Sequence, residues 1–367
     1  MYNRGNNSAI GGGIADSYDI AVVIPVYNAE RHLKKCIKSV LRQSYTRYIC
    51  VLVDDGSNDK SGSICDSFAK NDARVVVIHK ENQGSAEARK TGCLSEYAQK
   101  AEYICFMDAD DTMNENALEC MHEMAEENEL DCVCGRIGRI WRNFKFPTRF
   151  SAPCFGETRV YTHNEIISDL YISCFGISDY PVSLYAKLYR TQLISSAIQF
   201  EPVVKFMGDD LSVTLRVLPE TRRLGILTDT IYNYRFGGGT GRFMPYMLED
   251  FLSLYNFKSE MRKKYKMPQD AEYYMAVELL NETMSWFHML QTEKRINREE
   301  LLFEIERVVC LREVQESLTI IADRKKPNEL SELYKNKKYE DIERMVNEQI
   351  HDNRFRSRVR KLLIALE

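Results

Sequence analysis

Three short apolar runs constrain this chain more than anything else in it. Ile20–Ile24, Ile49–Val53 and Tyr103–Met107 have the length and composition of buried strands, and each gives way abruptly to polar residues. Helical patterns lie between them. After the first run, Pro25 stops the strand and Val26-Tyr27-Asn28 forms a loop. Asn28 is placed to cap a helix whose apolar residues recur at Leu33, Cys36, Ile37, Val40 and Leu41. After the second run come Asp54-Asp55-Gly56-Ser57-Asn58-Asp59 and a helix with Ile64, Cys65, Phe68 and Ala69 inward. Arg74–Ile78 reads as a further strand, His79–Gly84 as a polar loop and Ser85–Ala98 as a helix. Gly92 inside that helix suggests a close helix–sheet approach, the alternative being a plain propensity defect. A helix over Asn114–Glu127 and a strand over Asp131–Gly135 continue the alternation. Strands alternating with helices in this way predict βαβ units, a mostly parallel sheet and an α/β fold. All three polar strand ends then meet at one edge, where open α/β sheets bind ligands.

The third end is the most highly charged. Asp108-Ala109-Asp110-Asp111 puts three carboxylates within four residues. Like charges this close repel and raise one another's pKa, and a hard cation such as Mg2+ or Mn2+ relieves the repulsion through oxygen ligands. The same residues would also serve as an acidic turn opening the next helix.

Beyond Arg136 the pattern loosens. Trp141, Phe144, Phe146, Phe150 and Phe155 make the stretch to about Pro202 aromatic-rich, an elaboration over the open edge of the sheet. A second acidic pair, Asp209-Asp210, precedes a helix reaching about Leu218, and Leu224–Tyr234 reads as a strand. Phe236–Arg242 is rich in glycine and reads as a domain boundary and a lid that orders over a bound donor. From Tyr246 on, Leu, Glu, Lys and Met at helical spacing predict a helical C-terminal domain. The division expected is a disordered tail over 1–17, an α/β domain over 18–240 and a helical domain over 241–367.

Composition removes several function classes. A net charge of −4 supplies no global basic field for nucleic acid. No apolar run approaches the ~20 residues of a membrane span, and residues 1–17, rich in Asn and Gly, have no signal-peptide core. The eleven cysteines fall mostly at apolar positions, the pattern of reduced buried thiols in a cytoplasmic protein. The only glycine cluster, Gly11–Gly13, precedes the first strand and so does not form a dinucleotide fingerprint.

Taken together, these motifs resemble those of the family 2 glycosyltransferases, which have the GT-A fold. Val23-Ile24-Pro25-Val26-Tyr27-Asn28 is similar to the family's opening strand, and Val53-Asp54-Asp55-Gly56-Ser57 with Asp59 resembles its nucleotide-binding turn. Asn82-Gln83-Gly84 with Ala88, Arg89 and Gly92, the DxD motif at Asp108 and Asp110, and the acidic pair at Asp209-Asp210 follow in the family's order. Lys187-Leu188-Tyr189 and Tyr232-x-Tyr234-Arg235 are similar to later landmarks of bacterial capsule and surface-polysaccharide members.

The resemblance, over about residues 18–240, implies inverting transfer of a sugar from a nucleotide diphosphate sugar to a hydroxyl of a saccharide or lipid-linked saccharide. UDP is the commonest nucleotide in the family. Asp110 with Asp108 would hold Mn2+ or Mg2+, Asp108 alternatively reaching ribose or donor sugar. Pro25 and Tyr27 would wall the base pocket, with Asp55 accepting from uracil and Asp54 supporting it. Arg89 would face base or phosphates, and Lys187 phosphate or a structural partner. Asp210 is the expected general base, with Asp209 the alternative. The loop 236–242 has no His, a ligand that many metal-dependent GT-A enzymes supply there. A nucleotide-sugar-binding protein without transferase activity is the competing reading.

The last stretch carries Arg354, Arg356, Arg358, Arg360 and Lys361 opposite Phe355, Val359, Leu362, Leu363 and Leu366. Such a helix either packs on the protein or makes peripheral contact with the inner membrane face. The helical domain is also a candidate homodimer surface.

Overall fold

The computed structural model describes residues 18–141, 144–146, 152–177, 180–205, 208–235, 243–294, 296–324 and 327–348. The tail 1–17, the glycine-rich loop 236–242 and the basic segment 353–367 lie outside the described residues. The chain divides into two compact units.

Among the described residues the first unit has ten strands and seven α-helices. Strand β1 (Ile20–Val26) leads to α1 (Leu33–Leu41), β2 (Tyr48–Asp55) to α2 (Ser61–Asn71), and β3 (Val75–Lys80) to α3 (Ser85–Cys93). Then come β4 (Tyr103–Phe106), β5 (Thr112–Met113), α4 (Ala117–Glu127), β6 (Cys132–Trp141), β7 (Phe144–Phe146) and β8 (Arg159–Thr162). A turn of helix, α5 (His163–Glu165), precedes β9 (Lys187–Arg190), α6 (Thr191–Ile198), α7 (Asp209–Val217) and β10 (Arg223–Arg235). One sheet runs in the order β3-β2-β1-β4-β9-β6-β10-β5, with β7 on β6 and β8 on β10. The α/β fold expected from the sequence is present. The sheet is parallel from β3 to β4 and becomes mixed where β9 enters antiparallel to both β4 and β6.

The apolar runs form the centre of this sheet because only a position covered on both faces can bury them. Ile20–Ile24 and Ile49–Val53 are almost wholly buried. Strands β1 and β2 outlast their apolar residues. Pro25 pairs in register with Val53 and Val26 with Asp54, so the two aspartates lie within β2 and not in a loop after it. Helix α1 starts at Leu33, later than a cap at Asn28 would put it. Asn28 instead takes a left-handed conformation (φ 47°), which its short polar side chain tolerates better than most. Gly92 is where α3 meets the sheet: a Cβ there would stand 2.5 Å from Val23 Cγ1 and 2.9 Å from Val53 Cγ2.

The second unit comprises 172–178, 203–208 and 237–367, and its described part is helical: α8 (Met247–Lys264), α9 (Gln269–Met289), α10 (Arg298–Val309), α11 (Arg312–Asp323) and α12 (Glu329–Lys335). Its core holds an ion pair between buried Lys258 and Glu278. Among the described residues, no helix is long and apolar enough to cross a membrane. The cysteines are free and mostly buried, Cys310 being exposed.

Candidate active site

Parallel β1, β2 and β4 end on the same edge, and their loops are tied together there. The Asn28 amide donates to Ser57 Oγ, the Ala29 amide to Ser61 Oγ, the Glu30 amide to Asp59 Oδ2, and the Asn58 amide back to Asn28 Oδ1, at 2.8–3.1 Å. This lattice holds Tyr27, 49% exposed, beside partly buried Pro25.

Asp54 and Asp55 are both buried, and the chain itself uses their oxygens. Asp54 accepts from the Ser57 amide and faces His79 Nδ1 at 2.9 Å, whose Nε2 reaches Asp66. Asp55 accepts from the amides of Gln83 (3.0 Å) and Gly84 (2.8 Å) and from Lys80 Nζ. Gly84, at φ 94°, opens α3. Asp55 therefore aims the helix that carries Arg89, a job the sequence reading did not give it.

Arg89 is the centre of the site. Its side chain is 9% exposed, yet it reaches carboxylates from two distant parts of the sequence. Nη2 donates to Asp108 Oδ1 at 2.8 Å, Nη1 donates to Asp209 Oδ2 at 2.9 Å, and Nη1 lies 3.4 Å from Asp210 Oδ1. A planar guanidinium with donors on both edges can bridge in this way, and a lysine cannot. The strand end at Asp108 and the helix start at Asp209 thus converge.

The acidic cluster of the third strand end divides by environment. Asp111 faces inward, accepting from Tyr232 Oη (2.7 Å) and from the Arg235 amide. Burial, with Asp110 and Asp108 nearby, pushes its carboxyl up to about 8. It acts as an internal brace. Burial and then the Asp108 charge also raise Asp110. Among the described residues its carboxylate makes no ion pair, and Arg235 Nε goes to its backbone oxygen at 3.0 Å. Asp108 and Asp110 are both partly exposed, and they are the residues that would hold a divalent cation. No group of three or more potential ligands is arranged for a metal among the described residues. Behind them Tyr232 Oη also accepts from the Asp108 amide, and the Tyr185 ring stacks on Tyr232 at 4.7 Å and on Tyr234 at 6.1 Å. Tyr185 carried no signal in the sequence beyond its place in an apolar stretch.

Asp210 is held on one side. Oδ2 accepts from the Leu184 amide at 3.2 Å, and buried Oδ1 has no hydrogen-bond partner among the described residues. Burial raises its pKa well above the usual carboxylate range, and only part of the rise is offset by Arg89.

Lys187 requires a correction as a phosphate ligand. It is 1% exposed on β9, and its ammonium donates to the carbonyls of Pro181 (2.8 Å) and Ser183 and sits 5.0 Å from the Tyr180 ring. The 180–184 loop closes over it, and so the cation braces the segment whose Leu184 amide holds Asp210.

Comparison with known proteins agrees with this layout. Residues 21–183 match the model of the glycosyl transferase family 2. A glycosyltransferase of Streptococcus pneumoniae, GlyG, is 42% identical over 116 residues, 32% of this chain and 38% of that protein. The uncharacterized glycosyltransferase EpsJ of Bacillus subtilis is 32% identical over 229 residues, covering 62% and 64%. The minor teichoic acid biosynthesis protein GgaA of the same organism is 30% identical over 59% of this chain and 46% of its own. The chain thus spans less than two thirds of these relatives. Among solved structures, S. aureus TarS 1–349 in complex with UDP-GlcNAc superposes with a TM-score of 0.65 at 19% identity, over 91% of this chain and 92% of that one. Over residues 21–183, then, the chain is similar to the family 2 glycosyltransferases, and its fold is the GT-A fold.

Proposed function

We propose that the chain is an inverting, metal-dependent glycosyltransferase that moves a sugar from a UDP-sugar to a hydroxyl of a saccharide or lipid-linked saccharide in surface-polysaccharide synthesis. The observation that carries this reading is Arg89, which joins the cation-side carboxylate Asp108 to the acidic pair Asp209-Asp210. Donor activation and proton removal need groups on either side of one anomeric carbon, and in this reading Asp108 and Asp210 would be those groups.

In this reading the acceptor oxygen attacks the anomeric carbon while the bond to the diphosphate oxygen breaks, leaving its electron pair on the diphosphate. The acceptor proton passes to Asp210, whose Oδ1 has no hydrogen-bond partner among the described residues. A raised pKa suits a general base working near neutrality. Asp108 and Asp110 would hold Mn2+ or Mg2+, whose charge offsets that of the leaving diphosphate. Tyr27 and Pro25 would wall the base, over a turn held by Asp54 and Asp55. The choice of UDP is supported by the TarS complexes with UDP and UDP-GlcNAc, and the pathway by relatives named for teichoic acid synthesis.

The test is Asp210→Asn, with UDP binding followed by calorimetry in Mn2+ and UDP release across a UDP-sugar panel. Binding is expected unchanged and transfer lower by about 10²–10⁴-fold. In the unmutated enzyme, transfer should rise with pH through the raised Asp210 pKa, since the base acts only when ionised. Turnover of Asp210→Asn at the unmutated rate refutes the assignment.

A further inference from the structure

At the ligand edge stands a histidine that the proposed reaction does not use. His79 on β3 pairs across the ladder with Asp54 of β2. Its ring is held at both nitrogens: Nδ1 lies 2.9 Å from Asp54 Oδ2, and Nε2 lies 2.9 Å from Asp66 Oδ1 on α2. Ionised carboxylates only accept hydrogen bonds, and a neutral imidazole has a single N–H. Two carboxylates at this distance are both satisfied only by the imidazolium, which has two.

The two partners are not equivalent. The Asp66 side chain is 43% exposed and that of Asp54 only 9%, so Asp54 cannot exchange the histidine for bulk water. Helix α2 closes over it: a Cβ on Gly62 would stand 2.8 Å from Asp54 Oδ2 and 3.7 Å from His79 Cε1. The other Asp54 oxygen accepts from the Ser57 amide at 3.2 Å. Ser57 Oγ receives the Asn28 amide, and the Asn58 amide returns to Asn28 Oδ1. The charge on His79 is thus relayed through Asp54 to the turn that holds Tyr27. The neighbouring groups do not compete for it. Burial keeps the Cys65 thiol of α2, close to both carboxylates, neutral by raising its pKa, and Lys80 of β3 turns to Asp55. Burial also opposes charge on His79, but the hydrogen bonds to Asp66 and Asp54 outweigh it, and its pKa lies above the ordinary histidine value.

We infer that protonated His79 is the positioning residue of the nucleotide turn, clamping Asp54 between β3 and α2 so that the protonated chain binds a nucleotide-sugar donor more tightly than the chain with a neutral ring. The inference rests on the glycosyltransferase reading for the identity of the ligand. His79 itself touches neither donor nor reacting atoms. A neutral ring keeps one of its two bonds and loses the charge on it. Charge-assisted hydrogen bonds are roughly twice as strong as neutral ones, so donor affinity should drop about three- to tenfold. Affinity is full below the His79 pKa of the free chain and is lost as pH rises through the higher value of the donor complex.

Calorimetry on the full chain in Mg2+, from about pH 5.5 to about pH 8.5, tests this with UDP-glucose, UDP-galactose and UDP-GlcNAc, whose diphosphates do not titrate in that range. NMR of chains labelled at histidine follows His79 itself. Asp210 also titrates near neutrality, so the deciding readouts are two that it does not move. Donor binding should raise the His79 midpoint, by reciprocity. Asp66→Asn, at an exposed position away from the donor, should lower that midpoint and carry the His79-linked loss of affinity to lower pH with it. His79→Arg, a permanent double donor, should remove that step and keep the tighter affinity, whereas His79→Gln should bind weakly throughout. A His79 midpoint unmoved by donor, or an affinity profile unmoved by Asp66→Asn, overturns the role of His79 and leaves the proposed function standing. If none of the three donors binds at any pH, the proposed UDP-sugar function falls and this role falls with it.

Discussion

Replacing Arg89 by Met keeps the apolar stem of the side chain and removes the guanidinium with its charge and donors. The structure fixes what is lost: hydrogen bonds of 2.8 and 2.9 Å and a third carboxylate at 3.4 Å. Removing one partner of a buried pair costs about 3–5 kcal/mol, because the other charge stays behind. Asp108, Asp209 and Asp210 keep 19–27% of their side-chain exposure, so water absorbs part of the loss and about 3 kcal/mol is the better figure. For a unit of this size that lowers Tm by on the order of 10 °C. The pH dependence carries the sharper information. Without the arginine, Asp210, which burial already raises, loses the cation that offsets part of the rise, so it binds its proton more tightly folded than unfolded. Stability of the variant must then fall as pH rises from the ordinary carboxylate range, about 4, through the raised folded pKa of Asp210. Urea unfolding at pH 5 and pH 8 measures both effects, and the deficit against the unmutated chain should be larger at pH 8. A deficit under about 1 kcal/mol, or one independent of pH, would refute the view that Arg89 neutralises this cluster.

Three further outcomes are expected. Asp110→Asn should abolish the Mn2+-dependent part of UDP binding in calorimetry while leaving Tm unchanged or slightly raised, since a desolvated charge is removed. Gly92→Ala should cost about 1–3 kcal/mol in urea unfolding, because the new methyl meets Val23 and Val53 at 2.5 and 2.9 Å. Tyr232→Phe should cost about 1–3 kcal/mol by taking the hydroxyl from both buried Asp111 and the Asp108 amide; stability equal to the unmutated chain would mean Asp111 is not a brace.

The central strands and the ligand edge were legible in the sequence because continuous Val, Ile, Leu and Cys runs have few other uses. Gly92 was legible for a similar reason, a glycine where helix propensity argues against one. The roles of the aspartates were not. Asp108, Asp110 and Asp111 are adjacent and identical in chemistry, and only the approach of Tyr232 and the Arg235 amide from β10 turns Asp111 inward. Asp54 and Asp55 looked like loop residues because the apolar run ends at Val53, whereas β2 goes on pairing to Asp55. Lys187 stood as a candidate phosphate ligand, with a structural role as the alternative, because Lys187-Leu188-Tyr189 resembles a family landmark. Its carbonyl partners at 181 and 183 bear no side-chain signal. Arg89 was visible as a candidate, but a bridge to residues 209 and 210 is a tertiary fact that no local pattern encodes.

The way Lys187 is held bears on how this chain can be recombined with its relatives. Asp210 lies on α7, but its carboxylate is oriented by an amide from the 180–184 loop, and that loop is fastened by a lysine on β9. Helix α7 is therefore not a portable cassette. A chimera that exchanges it alone imports the carboxylate and leaves its aiming device behind, whereas one cut at Tyr180 and Val217 moves loop, lysine and carboxylate together. The smallest exchangeable part is that whole segment, and recombination breakpoints that fall inside it should yield folded proteins with a misdirected Asp210 carboxylate.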